Sequence, residues 1–213
     1  DPEYMPQIVE RAKTFENEEY KASALITSKF LYEYMDPRIS KTAGLIEALK
    51  LHNIDMKDIV TYTVAGIGER QKFFDDDARR DAINYICNPQ KAVYTGCRNV
   101  SCVENAAEEM KKTAQSFGKD SGKRIRHSII SFDENSGVTA EEARNYAEGI
   151  IDYYKNFQIV YAVHGNTDNT HVHLVMNQIA FTDGQRYQGK KKDFYDFLQQ
   201  LRDVTHRPVM YVK

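Results

Sequence analysis

The stretch "YAVHGNTDNTHVHLVMNQIA", residues 161–180, carries His164, His171 and His173, three of the chain's six histidines. Side chains two residues apart on a strand share a face, so His171 and His173 are neighbours. His164 ends the preceding apolar run. A loop of about six residues between paired strands returns it beside them. Three convergent imidazoles can form a three-histidine metal site with open coordination positions. Packed core histidines are the competing reading, but buried imidazoles without partners are costly. Three neutral ligands leave an ion its full charge, able to polarise a phosphoryl or carbonyl oxygen. Asn177 lies farther along the same strand face, where it can hydrogen-bond a ligand histidine or substrate, or cap a turn. Asp168 in the loop can accept the second N–H of a histidine or make an Asx turn.

The elements that must position these groups are legible in outline. "QIVYAVH" and "HVHLVMNQIAF" read as strands, as does "RIRHSIISFD". "DDDARRDAINYI" reads as a helix stopped by Pro89, and "CVENAAEEMKKTAQSFG" as a helix stopped by Gly118. "SGVTAEEARNYAEGIIDYYKNF" carries a capping box, Thr139 with Glu142. "KDFYDFLQQLRDVTHR" is the final helix. Upstream, 6–35 has helical spacing, "SKTAGLIEALKLHNI" begins at a capping Ser40, and "MKDIVTYTVAGIG" suits a strand. From residue 75 the order is helix, helix, strand, helix, strand, strand, helix. The expected fold is α+β, an antiparallel β-sheet flanked by helices. Residues 1–70 are expected to be a helical N-terminal accessory segment, and 71–213 the main domain.

Composition narrows the class. The 213 residues are 41 % hydrophobic, enough for a core, and no apolar run approaches the ~18 residues of a membrane span. Cys87, Cys97 and Cys102 are odd in number and widely spaced, which argues against a disulfide framework and for a cytoplasmic location. The net charge of −2 predicts no nucleic-acid partner by itself. Local runs say more. Residues 111–126 hold Lys111, Lys112, Lys119, Lys123, Arg124 and Arg126 against Asp120 alone, and 186–192 hold Arg186, Lys190, Lys191 and Lys192 with no acid. Each is a solvated loop or an electrostatic footprint for a polyanion. No serine motif or reactive cysteine supplies a nucleophile, and with 14 tyrosines most must be structural.

Taken together, "VYAVHGNTDNTHVHLVMNQIAFTDGQRY" resembles the third motif of the Mob-type conjugative relaxases, DNA-nicking nucleases of the HUH endonuclease superfamily. "DAINYICNPQKA" (81–92) resembles their first motif and "RHSIISFDENSGVTAEEA" (126–143) their middle one. The resemblance spans roughly residues 70–213, with the motifs in family order. It implies Tyr85 as the nucleophile, with Tyr94 the runner-up, and a divalent ion on His164, His171 and His173. Mg2+ or Mn2+ is usual for nucleases, whereas three imidazoles suit Zn2+, Ni2+ or Co2+. It implies a 5′-phosphotyrosyl link made by transesterification at a transfer origin, and later rejoining, in conjugative transfer or mobilisation. Ser131 falls where the family has a DNA-contacting serine. Lys123, Arg124, Arg126, Arg186, Lys190, Lys191 and Lys192 would hold single-stranded DNA, with Phe194 and Tyr187 for stacking. Relaxosome proteins and a coupling protein are the implied partners, without membrane insertion.

Two departures stand out. Asn166 occupies a place where the family often has Asp, so the acid is expected at Asp168 or on another strand. About 70 residues precede the tyrosine motif, and 12 basic against 15 acidic residues over 1–80 do not favour DNA binding there. The ending "MYVK" carries no stop signal, compatible with a longer protein. The rival readings are a rolling-circle replication initiator, a non-catalytic single-stranded DNA-binding protein of the same fold, and a three-histidine metallohydrolase of small molecules. A tyrosine ahead of the histidines favours the relaxase.

Overall fold

The structure, a computed structural model, describes residues 23–28, 31–35, 41–64, 73–165 and 167–212. The chain divides into two units, Asp1–Asp55 and Met56–Lys213. The first holds strands β1 (Ser23–Ser28) and β2 (Leu31–Met35), paired antiparallel, and helix α1 (Lys41–Leu51). The helix expected over 6–35 is therefore replaced by strands at 23–28 and 31–35, while 6–22 lies outside the described residues. In "ALIT" and "LYEY" a local β-branched and aromatic preference overrides the helical spacing.

The second unit is built on a six-stranded sheet of order β4-β6-β7-β5-β3-β8. Its strands are β3 (Val60–Val64), β4 (Ala92–Arg98), β5 (Ile125–Phe132), β6 (Ile159–His164), β7 (His171–Asn177) and β8 (Val209–Tyr211). Every pairing is antiparallel except β3 with β8, which is parallel, so the sheet is mixed at one edge. β3 lies before residue 70, so the sheet takes in part of the stretch assigned to the accessory segment. Its "VTYTV" alternation inserts Val60 and Tyr62, both 0 % exposed, into the core. β4 and β8 are absent from the sequence reading. β8 is too short to show a period, and Gly96 gives β4 the look of a loop. That glycine is required, because a Cβ there would overlap the Tyr161 ring.

Helices cover both faces. On one, α2 (Ala78–Ile86) and α3 (Ala106–Ser116) bury Ile83, Ile86 and Met110 against Ile125, Val160 and Val175. On the other, α4 (Ala140–Ile151) and α5 (Lys191–Thr205) bury Ile150, Phe197 and Leu201 against Tyr62, Ile130 and Leu174. The Thr139–Glu142 capping box opens α4 as expected, and Gly118, at φ +64, follows α3. β6, covered on both faces, is buried along its whole length.

A buried polar tie holds α2 to the sheet. Arg79, 2 % exposed, donates to Asp120 Oδ1 at 2.9 Å and to Asn177 Oδ1 at 3.4 Å. The Asn177 amide nitrogen donates to the Met110 carbonyl on α3 and to Gln158 Oε1, each at 3.0 Å. Both of its N–H groups and its oxygen are thus engaged away from the histidines. Asn177→Ala leaves a buried guanidinium, carbonyl and amide each short of a partner. A stability loss of about 1–3 kcal/mol in denaturant unfolding is expected, with metal uptake unchanged. A loss of metal affinity at unchanged stability would instead make Asn177 a partner of the histidines.

Candidate active site

The β6–β7 hairpin assembles the three histidines. His164 is paired directly opposite His171, and His173 opposite Ala162, so all three share one face of the sheet. Ring centroids stand 5.1 Å apart for His164 and His171, 4.4 Å for His164 and His173, and 5.0 Å for His171 and His173. One ring nitrogen from each lies within 4.8 Å of the others, a cluster that could hold a metal ion. His164 and His173 are buried, 2 % and 4 % exposed, and His171 forms the open side.

Each imidazole is oriented by a partner on its other nitrogen. His164 Nε2 donates to the Ile86 carbonyl at 2.6 Å, His171 Nδ1 faces the Asn169 carbonyl at 3.0 Å, and His173 Nδ1 meets His127 Nε2 at 2.9 Å. These bonds leave His164 Nδ1, His171 Nε2 and His173 Nε2 for an ion. This is the arrangement of metal-binding histidines, whose far nitrogen is fixed by a carbonyl or another acceptor. With nitrogens at about 2 Å, a metal ion fits such a donor set, and among the described residues no carboxylate joins it.

His127 is absent from the sequence reading of the site. It stands on β5, pointing to the same face as His173, buried at 8 % exposure. An imidazole, not a carboxylate, faces His173 Nδ1. If His173 keeps Nε2 bare for an ion, its Nδ1 carries the proton and His127 Nε2 must accept it. The signal in the sequence was weak, since "RIRHSIISF" shows a single histidine in a strand.

Burial, reinforced by the neighbouring imidazoles, pushes His173 down to about 2 and His127 to about 4. His164 is lowered too, mainly by burial. All three are neutral at pH 7, the form that ligates. An unfolded histidine titrates near 6.5, so between that value and the folded ones the unfolded chain holds more protons. Acidification therefore weakens the metal-free fold below pH 6.5, by at most about 1.4 kcal/mol per pH unit for each group. The melting temperature in chelator should hold above pH 7 and fall steadily from pH 6.5 to 4. A flat profile over that window would contradict the buried neutral imidazoles.

Tyr85 lies next to this cluster. It stands in the last turn of α2, whose Arg79, Ile83 and Ile86 point inward. The Tyr85 ring meets His173 edge-on at 5.9 Å and His127 at 6.3 Å, yet the residue is 52 % exposed. Lys91 Nζ stands 4.9 Å from its ring centroid. The bond from His164 to the Ile86 carbonyl ties the residue after Tyr85 to the histidine cluster. Tyr94 is on the opposite face, packed against the α4–α5 core with Arg144 over its ring. A bulge between Ala92 and Tyr94 accompanies that turn away from His164.

The remaining predicted residues separate into groups. Ser131, half-buried, is paired across the sheet with His171 and is close to the cluster. Asp168 is exposed in the hairpin loop, and His171 is oriented by the Asn169 carbonyl beside it. Asn166 lies outside the described residues. Arg124 is buried in ion pairs with Asp76 at 2.9 Å and Asp120 at 3.3 Å. Arg186 donates to the carbonyls of Lys119, Ser121 and Lys123. Lys190, Lys191 and Lys192 are exposed at the start of α5, where Lys192 pairs with Asp196. Phe194 packs against Tyr62 and Tyr211, while Tyr195, 56 % exposed with Lys191 at its ring, offers a free aromatic face. Among the described residues no helix is long and apolar enough to cross a membrane.

The family model described as Relaxase: MobA/VirD2-like, nuclease domain, matches residues 85–207, more than half of the chain. The match starts at Tyr85 and takes in all three histidines and His127. The chain is also similar to two proteins of Staphylococcus aureus, each named Protein rlx. One is 29 % identical over 98 residues, 46 % of this chain and 29 % of that protein. The other is 26 % identical over 102 residues, 47 % of this chain and 31 % of that protein. The matched stretch covers less than a third of either relative.

Proposed function

The chain belongs to the relaxase family with a MobA/VirD2-like nuclease domain, and from that premise we propose that it nicks one DNA strand at a transfer origin through Tyr85. The observation that carries the reading is an exposed tyrosine held edge-on against a three-histidine cluster whose His164 and His173 are buried. The Tyr85 phenol oxygen attacks the scissile phosphorus, and the bond to the 3′ oxygen breaks. The products are a 5′-phosphotyrosyl link and a free 3′-OH, with the phenol proton ending on the leaving oxygen or in water. Rejoining is the reverse, so no external energy source is needed.

A phenol titrates near 10 and is a weak nucleophile at neutral pH. A divalent ion on His164, His171 and His173, when bound, supplies positive charge to the phosphate oxygens. The donor set of three imidazoles suits Zn2+, Ni2+ or Co2+, with Mn2+ or Mg2+ as nuclease ions. His127 and the Ile86 and Asn169 carbonyls hold the ligand rings. Lys91, close to the Tyr85 ring, adds a cation where negative charge develops. Ser131 and Asp168 flank the opening, where substrate contacts belong, and Lys190, Lys191 and Lys192 with Tyr195 form an exposed basic and aromatic surface for single-stranded DNA. Conjugative transfer or mobilisation, with relaxosome and coupling partners, is the proposed setting.

The test incubates the protein with single-stranded oligonucleotides from a candidate origin and each divalent ion, and maps any protein–DNA adduct by mass spectrometry. An adduct on Tyr85 with a free 3′-OH product is expected. Tight, salt-sensitive binding with no cleavage under any ion would favour the non-catalytic DNA-binding reading.

A further inference from the structure

We propose that Asn88 and Pro89 are positioning residues, which reserve the Ile86 carbonyl for His164 and so fix Tyr85 against the histidine cluster. It rests on the nicking reading above and deepens it, by naming what sets the nucleophile in place. The last carbonyls of a helix lack intrahelical partners and take whatever donor the next residues offer. For Ile86, the last residue of α2, the regular donor is the N–H of Gln90, and the donor of a tighter turn is residue 89. Neither is on offer. Residue 89 is proline and has no N–H. The Gln90 N–H is held by Asn88 Oδ1 at 2.9 Å, in an Asx turn. Pro89 also disfavours a helical Asn88, which opposes any extension of α2. The Ile86 carbonyl is left to the His164 Nε2–H at 2.6 Å.

The same turn closes a ring through His164. The Asn88 carbonyl accepts from the Lys91 and Ala92 N–H groups, each at 2.9 Å. Ala92 then opens β4 directly opposite His164 on β6. Ile86 and Ala92 therefore both hold one histidine, and the turn between them is pinned at both ends. Next to those ends stand Tyr85, before Ile86, and Lys91, before Ala92, with Lys91 Nζ 4.9 Å from the Tyr85 ring. Tyr85 is half exposed, so core packing fixes only part of it and the backbone tie does the rest. A ligating His164 has a more polar Nε2–H and a stronger bond to the Ile86 carbonyl. Loading the three histidines and ordering the last turn of α2 are then one linked equilibrium, and the linkage acts equally in both directions.

The experiment uses the full chain and two readouts besides nicking. One is Co2+ affinity, followed by its visible spectrum. The other is hydrogen exchange of the backbone amides at 83–88 with and without Zn2+. Zn2+ should slow exchange there about tenfold in the unsubstituted protein. Asn88→Ala combined with Pro89→Ala frees the Gln90 N–H for the Ile86 carbonyl. That variant should bind Co2+ about tenfold more weakly and lose the Zn2+-dependent slowing. It should nick about 10- to 100-fold more slowly at saturating oligonucleotide, with KM little changed. Asn88→Asp with Pro89 kept retains the accepting oxygen and should restore all three. Melting temperatures identify folded protein, and Asn88→Ala alone is the milder variant should the double change not fold. Unchanged Co2+ affinity and unchanged Zn2+-dependent exchange in a folded variant, whatever its melting temperature, would overturn the coupling. Nicking at the unsubstituted rate would overturn the role in placing Tyr85. If the unsubstituted protein forms no adduct on Tyr85 while the metal and exchange results hold, the nicking reading falls and the tie from His164 to α2 stands.

Discussion

Tyr85→Phe is expected to abolish the covalent protein–DNA adduct and to lower strand cleavage by roughly three orders of magnitude or more, as loss of a nucleophile does. The substitution removes one oxygen and keeps the ring that packs against His173 and His127. Since Tyr85 is 52 % exposed and no hydrogen bond of its hydroxyl is part of the core, stability should change by less than about 0.5 kcal/mol. Metal uptake and oligonucleotide affinity should also persist. That combination separates a lost nucleophile from a damaged fold. An adduct that survives on another tyrosine would show that the position beside the histidines is coincidental. Tyr94, the other candidate, is on the far side of the sheet against Arg144, so Tyr94→Phe should leave cleavage intact.

The second large effect is on the metal. His173→Ala removes one of the three imidazoles proposed to hold an ion and leaves His127 Nε2 without its partner at 2.9 Å. Metal affinity should fall by more than about a hundredfold, and the unpaired buried imidazole should lower stability by about 1–3 kcal/mol. His127→Gln tests the orienting role alone. It leaves all three ligands but alters the group that fixes the His173 ring, so affinity should fall about 10- to 100-fold. Both are read by chelator competition with Zn2+, Co2+ and Mn2+, and cleavage should track occupancy. If both variants melted lower but bound metal as the unsubstituted protein does, the imidazoles would be packing groups.

How much of this was visible beforehand depends on sequence distance. The hairpin was legible because its information is local. Histidines two residues apart share a strand face, and a short loop returns the third. The observed pairing of His164 with His171 follows from that spacing. The Thr139–Glu142 box and the glycine after α3 were equally local. Residues 23–35 went the other way. Helical spacing of apolar residues there is outweighed by β-branched and aromatic content, a competition that short windows resolve poorly. The strands of three and seven residues at β8 and β4 gave too little or too irregular a period.

What the linear order could establish was the inventory: three imidazoles on one hairpin, a tyrosine in a helix stopped by Pro89, and two basic runs. What only the tertiary structure decided was which of those groups meet. The tie from His164 to the Ile86 carbonyl, 78 residues apart in sequence, brings the tyrosine helix to the hairpin. Tyr85 and Tyr94 stand on opposite faces of one sheet, and Tyr85 is the one beside the histidines. The partner of His173 Nδ1 is another histidine, His127, contributed by the neighbouring strand. The basic runs were sorted the same way. Arg124 and Arg186 turned inward to carboxylates and carbonyls, Lys123 lies over the Phe73 ring, and Arg126 bonds the Tyr62 hydroxyl. Charge and residue type are written in the chain. Which side of the sheet a side chain occupies, and what is packed against it, is set by pairings between strands far apart in the sequence.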